Sequence, residues 1–277
     1  MCGLYRLVTS PEQVCARFGC EGAEPFPPRP LIRPGEPVGI VRREDDGARH
    51  WRWVVWGLVP HWMKEPFLDE NSPVGEFSNR PPPRAPAQPP DSMHGQGAWA
   101  GARGGSSLLR PRWKGRRIIN ARAETLLERP AFRGAVRHRR CLVPADGFYE
   151  WTGPRGRKRA VLFTLPDERP FAMAGLWERW MGANGGEIET MAIVTVDANA
   201  DVAPVHERMP ALLRREHWRA WLDVRAVPAQ EAIRLLAPAP DGTLRAHEAG
   251  DSRSLFAARD SSWSVVHRKP QAGDSRP

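Results

Sequence analysis

From residue 38 to residue 196 the chain repeats one pattern: short runs of apolar, aromatic and β-branched residues, each cut off by proline, glycine or a charged turn. Runs of that length and composition build strands rather than long helices. Strands are expected at 38–42 and at 51–59, where Trp51, Trp53, Val54, Val55 and Trp56 show no clean alternation and therefore read as buried on both faces. Further strands are expected at 116–120, at 140–144 and 147–152 around a turn at Ala145-Asp146, and at 160–165, 171–177 and 189–196. Helix signals are fewer. Ser10-Pro11-Glu12-Gln13 supplies a cap and a first-turn proline, and Gly19 supplies a stop. Asn120 is placed to cap a helix over 121–129 closed by Pro130, and residues 214–222 and 229–236 read as helices. Residues 22–37, with Pro25, Pro27, Pro28, Pro30, Pro34 and Pro37, read as an extended loop. Strands without regular βαβ alternation imply an α+β fold. Its expected core is a curled, largely antiparallel, barrel-like sheet with flanking helices, in a single domain.

One composition shift interrupts this pattern. Six of the ten residues from 81 to 90 are proline, and 95–107 is rich in Gly and Ser. Such a segment buries too little surface to offset its ordering entropy, so 71–112 is expected to be a disordered insertion within a domain spanning 1–240. Residues 241–277 form a polar segment with no clear pattern. Lys and Arg exceed Asp and Glu by 41 to 32, a formal charge of +9, which suits a polyanionic partner, nucleic acid first. The cysteines Cys2, Cys15, Cys20 and Cys141 show no metal-ligand spacing, so neither a metal nor another cofactor is expected. No apolar stretch approaches the ~20 residues that span a bilayer. A monomeric, cytoplasmic, nucleoid-associated protein with free thiols and no membrane contact is the expectation.

Four positions could carry chemistry. Removal of Met1 would leave Cys2 with an α-amine and a thiol two carbons apart, a 1,2-aminothiol able to condense with an aldehyde as a Schiff base and then as a thiazolidine. Free groups of these types titrate near ~8 and ~8.5, leaving a nucleophilic fraction of both at neutral pH. Glu150 sits among Phe148, Tyr149 and Trp151. Pointing inward it would have a raised pKa suited to proton transfer, and alternation makes an outward direction equally admissible. His206, between Pro204 and Pro210, is either a general acid/base or a structural histidine. Asn120 is fully explained as a helix cap with an acidic first turn, without any ligand.

The order of the motifs adds to this. Met1-Cys2-Gly3, residues 56–62 (Trp-Gly-Leu-Val-Pro-His-Trp), 120–125 (Asn-Ala-Arg-Ala-Glu-Thr), 140–151 (Arg-Cys-Leu-Val-Pro-Ala-Asp-Gly-Phe-Tyr-Glu-Trp), 174–178, 193–195 and 206–210 (His-Glu-Arg-Met-Pro) together resemble the SRAP family, whose members are abasic-site processing proteins, also called SOS response-associated peptidases. The resemblance implies a partner, single-stranded DNA containing abasic sites, and an activity, self-crosslinking to the lesion through Cys2 as a thiazolidine. It also implies that Asn120 holds the sugar, Glu150 shuttles protons and His206 assists ring opening, while Arg122 and Arg208 contact phosphates and Trp62 stacks near the lesion. Two other readings use the same residues or the same charge: a thiol peptidase or amidohydrolase with Cys2 as N-terminal nucleophile, and a basic single-stranded-DNA-binding module without chemistry. Three departures from the family pattern stand out. Leu4 lies where relatives carry Arg, Leu31-Ile32-Arg33-Pro34 replaces an Asn-containing segment, and 244–268 lacks the usual C-terminal stretch.

Overall fold

The computed structural model describes residues 2–64, 117–154, 157–182 and 185–251; the expected insertion at 71–112 lies outside them. Five strands close into a barrel: β3 (Pro37–Arg43), β4 (Arg49–Trp56), β6 (Arg140–Ala145), β9 (Phe171–Met181) and β10 (Glu187–Asp197). The ring runs β10-β4-β3-β6-β9 and returns to β10, antiparallel everywhere except where β10 meets β4 in parallel at Thr190↔Val55 and Met191↔Trp56. Short strands β5 (Asn120–Arg122), β11 (Arg208–Pro210) and β12 (Leu212–Leu213) extend the barrel edges. A second sheet, ordered β13-β8-β7-β1-β2, packs on the barrel; it comprises β1 (Tyr5–Leu7), β2 (Arg29–Ile32), β7 (Gly147–Thr152), β8 (Arg159–Thr164) and β13 (Arg245–Asp251). The expected α+β, barrel-like single domain is the observed one.

Aromatic rings join the two layers. Tyr5 of β1 meets Trp56 of β4 edge-on at 5.2 Å, and Phe148 stacks on Phe163 at 5.3 Å while standing edge-on to Phe171 at 6.5 Å. Each such pair adds about 0.5–1.5 kcal/mol beyond its buried area. Arg140 is buried at the end of β6 and donates to the carbonyls of Val136, Trp221, Asp223 and Val227. One guanidinium thereby ties α2 (Pro130–His138) and α3 (Trp218–Leu222) to the barrel. Burial lowers its pKa to about 10, with Asp223 opposing, so it stays charged at neutral pH.

Several local expectations hold and several do not. The first helix, α1 (Pro11–Phe18), begins with the Ser10 side chain accepting from Gln13 N and ends at Gly19 with φ 59°. The expected helix over 121–129 is instead β5 followed by a 3-10 turn at Ala123–Thr125. Pairing of β5 with β10 overrides the capping signal at Asn120, and Pro130 opens α2 at its first turn rather than closing a helix. Within the proline-rich 22–37 stretch, β2 pairs with β1 at the sheet edge, where a proline is tolerated. Past residue 240, where the sequence pattern fades, β13 pairs with β8 from Arg245↔Thr164 to Asp251↔Arg159. The helical reading of 229–236 is met by α4 (Ala229–Ala232) and a 3-10 turn.

Gly39 of β3 lies beneath the Trp51 ring, and a Cβ there would fall 1.6 Å from Trp51 Cζ2. The ring has no room to move, because it stacks on Phe26 at 5.3 Å and abuts Trp53 at 5.6 Å. Gly39→Ala is expected to destabilise the protein by about 1–3 kcal/mol or more, measured as a lowered midpoint of urea unfolding; an unchanged midpoint would show that the Trp51 cluster can repack.

Candidate functional site

Strand β1 carries Cys2 into the interior. Its pairing with β7, Tyr5↔Phe148 and Arg6↔Gly147, continues through Tyr149 N donating to Leu4 O at 2.9 Å. Extended by one pair, that register sets Gly3 opposite Glu150. Cys2 is fully buried, and its Sγ lies 3.8 Å from Leu4 O. A second strand fixes it from the barrel side: Asn120, first residue of β5, donates from Nδ2 to Cys2 O at 2.8 Å. Asn120 is itself held by the pairing Ile193↔Asn120, and the preceding carbonyl, Ile119 O, accepts from Trp56 Nε1 at 2.9 Å. Asn120 Oδ1 is buried without a hydrogen-bond partner among the described residues. A buried acceptor of this kind costs about 1–3 kcal/mol unless something donates to it.

Glu150 faces inward and is 1% exposed. Burial raises its pKa to about 7, against the opposing pull of the amino terminus and Lys158. The same burial, reinforced by the Glu150 charge, pushes the Cys2 thiol well above its ordinary value. The nucleophilic thiol fraction expected of a free cysteine is therefore absent as the residue sits here: the thiol is neutral, and a proton acceptor must act before it can add to anything. His206 Nδ1 accepts from Arg208 N at 2.9 Å, which leaves the proton of the neutral ring on Nε2. Burial first, then the positive amino terminus, hold its pKa below the usual histidine value. Cys2, Glu150 and His206 thus share one electrostatic neighbourhood at the amino terminus, and Asn120 closes it from β5.

The other three expected site residues are placed differently. Arg208 is 7% exposed and points its fork inward. Both terminal nitrogens pair with the Glu124 carboxylate at 2.9 Å, one also reaches Asp197, and the other donates to Thr195 O at 2.8 Å. That geometry makes Arg208 a clamp across β10, between the turn after β5 and the start of β11. Arg122 is exposed, with no side-chain ion pair among the described residues. Trp62 is 54% exposed in the turn after β4. Neither touches the buried group directly. Sequence reasoning missed Lys158, whose charge reaches both Glu150 and His206 from the start of β8, because a lysine after a glycine-rich turn carries no pattern. It also missed Glu124 as the partner of Arg208, although both lay inside motifs already recognised.

The departures from the family pattern acquire structural meaning. Leu4 is 2% exposed and packs with Leu31, Tyr149, Ala160 and Leu162. Its side chain therefore adds to the core on the far face of the second sheet. Arg6 pairs with Glu168 at 3.7 Å and does not stand in for a basic residue at position 4.

Buried Cys2, inward Glu150 and the oriented His206 ring are thus gathered on a closed barrel. The family model for SOS response associated peptidase (SRAP) matches residues 1–74 and 106–252, and the chain belongs to this family. It is 35% identical over 252 residues to abasic site processing protein YoaM of Bacillus subtilis, with 90% of each chain covered. It is 36% identical over 253 residues to YoqW of Bacillus phage SPbeta, with 90% of this chain and 92% of that one covered. The similarity to abasic site processing protein HMCES of Gallus gallus, 38% over 141 residues, covers 43% of this chain and 42% of that one. Among solved structures, a Bacteroides thetaiotaomicron protein superposes with a TM-score of 0.65 at 23% identity, over 89% of this chain and 91% of that one. A Bordetella bronchiseptica protein gives 0.62 at 23% identity, over 90% and 99%. These structures share the fold. Among the described residues no group of His, Cys, Asp and Glu could hold a metal, and no helix is long and apolar enough to cross a membrane.

The raised pKa of Glu150 has a stability consequence. Its folded value, about 7, lies above the unfolded 4.5, so the native state favours the protonated acid. This contribution to stability is full below pH 4.5 and is lost as pH rises to 7 and beyond, by on the order of 3 kcal/mol at pH 8. Glu150→Gln removes the ionisation, so its melting temperature relative to wild type is expected to climb between pH 5 and pH 8. A constant difference across that range would show that Glu150 does not titrate there.

Proposed function

We propose that this protein processes abasic sites in single-stranded DNA by bonding its own amino terminus to the lesion. With Met1 removed, the α-amine of Cys2 attacks the open-chain sugar aldehyde and, on loss of water, forms an imine. The thiol then adds to the imine carbon, its proton passing to nitrogen, and a thiazolidine results. Ring closure removes the imine that would otherwise promote strand cleavage by β-elimination. The observation that carries this reading is the burial of Cys2 beside Glu150, with Asn120 fixing its carbonyl. The relatives named abasic site processing proteins support the substrate.

In this reading each side chain has a role that follows from its surroundings. Glu150, titrating near 7, takes the proton from amine or thiol and returns it to departing water; a carboxylate poised near the working pH typically contributes ~10²–10⁴-fold. His206 presents a neutral Nε2–H to the sugar oxygen as the ring opens. Asn120 orients the cysteine through Nδ2, and its unpartnered Oδ1 accepts from a sugar hydroxyl. Arg122, exposed beside this group, contacts a phosphate; Trp62 offers an open ring face to a base flanking the lesion. Arg208 acts through Glu124, holding the β5 turn that presents Arg122. A thiol-peptidase reading fits less well. That chemistry needs a thiolate stabilised by a neighbouring cation, whereas burial and the Glu150 charge hold the Cys2 thiol protonated.

The test uses an oligonucleotide with one abasic site, incubated with the protein and run on a denaturing gel. Wild type is expected to give a heat-stable shifted band. Cys2→Ala abolishes it, and Glu150→Gln and His206→Ala slow it by about 10²-fold with binding to undamaged strand retained. Absence of the band from wild type that still binds DNA would remove the crosslinking reading.

A further inference from the structure

Away from the candidate site lies a hollow whose lining includes none of Cys2, Asn120, Glu150 and His206. The hollow, about 590 Å³, opens between the segment preceding β9, β12 with the 3-10 turn after it, and residues 234–243. Five arginines line it: Arg17, Arg169, Arg214, Arg215 and Arg234. Glu216 is the single acidic residue among the described lining. The floor is apolar, formed by Phe171, Leu212 and Leu235.

The protein neutralises this charge only in part. Arg169 pairs with Asp167 at 2.7 Å and Arg214 with Glu216 at 3.5 Å, both between exposed side chains and therefore weak. Arg215 and Arg234 are exposed and make no ion pair among the described residues. Arg17 donates to Pro170 O at 2.5 Å, which holds it at the hollow's wall. Burial, and then the like charges of Arg169 and Arg215, depress its pKa. Arginines gathered against their mutual repulsion over an apolar floor form a surface that an anionic, partly apolar ligand would relieve.

The shape selects the kind of anion. Nucleic acid bound through its backbone calls for a basic track with open aromatic faces. Here the arginines converge on one concavity, and the nearby indole offers no open face: Trp218 is buried and stacked on Phe18 at 4.6 Å. A volume of this size accepts one or two apolar side chains. Arginine forks around it match carboxylates in bidentate fashion. We propose that this hollow docks an acidic peptide segment of another protein, with an apolar side chain on the floor and flanking carboxylates on the rim arginines. None of the residues lining the hollow belongs to the Cys2 group, so the two do not compete for side chains.

Fluorescence anisotropy of the full-length protein with a labelled peptide of four aspartates followed by Leu-Phe tests this. Saturable binding is expected, weakened about tenfold or more in the double variant R215E/R234E and by replacing Leu-Phe with Ser-Ser. Arg122→Ala should bind the peptide like wild type, and an unchanged melting temperature of R215E/R234E verifies its fold. The proposal is overturned by absence of saturable binding to wild type, by equal binding to R215E/R234E, or by equal binding of the Ser-Ser peptide. It is also overturned if undamaged single-stranded DNA displaces the peptide and loses the same affinity in R215E/R234E, since the hollow would then be a nucleic-acid surface.

Discussion

Strand β10 has two edges to satisfy, and each is shared by two strands in succession. On one edge β9 runs to Ile193↔Gly175 and β11 takes over at Thr195↔Pro210. On the other, β4 occupies Thr190 and Met191 before β5 takes Ile193 to Thr195. An unpaired buried peptide group is expensive, so this sharing dictates where each short strand must lie. β5 delivers Asn120 to one side and β11 delivers Arg208, just after His206, to the other. The Arg208–Glu124 pair then closes the gap across the strand. The candidate site is therefore a product of barrel closure, and its parts meet although Cys2 and His206 lie about two hundred positions apart in the sequence.

Burial then sets the chemistry. A cysteine on the surface would ionise more readily but would be open to any electrophile. Enclosed beside Glu150, the thiol is held neutral while the carboxyl is lifted into the range where it exchanges protons at neutral pH. One cause, exclusion of water, thus keeps the thiol protonated and brings the carboxyl into the neutral range. Leu4 anchors the strand that carries Cys2 in a separate apolar cluster on the far face of the second sheet.

The strands were readable because their signal is local. Trp51 to Trp56, the 140–152 block and the 189–196 run carry β-branched and aromatic density that no helix at those lengths would need. Pairing was harder to read. Residues 140–144 and 147–152 look like a hairpin in sequence, yet β6 joins the barrel and β7 the second sheet. Asn120 misled in the same way: its capping pattern is sound locally, and what overrides it is the free edge of β10, contributed by residues more than seventy positions away. The site residues were legible through ordered motifs, whereas the directions of their side chains were not. Alternation left Glu150 undecided between inside and outside, and nothing in the sequence distinguishes the inward fork of Arg208 from the exposed chain of Arg122.

The central claim is that amine and thiol of Cys2 act together on one aldehyde carbon. Denaturing the DNA adduct, alkylating it with iodoacetamide and mapping its amino-terminal peptide by mass spectrometry tests that claim directly. A thiazolidine predicts a peptide that begins at Cys2, carries the sugar remnant and has no alkyl group on Cys2, while Cys15, Cys20 and Cys141 are alkylated. An adduct whose Cys2 is alkylated, or one that retains Met1, would contradict the account.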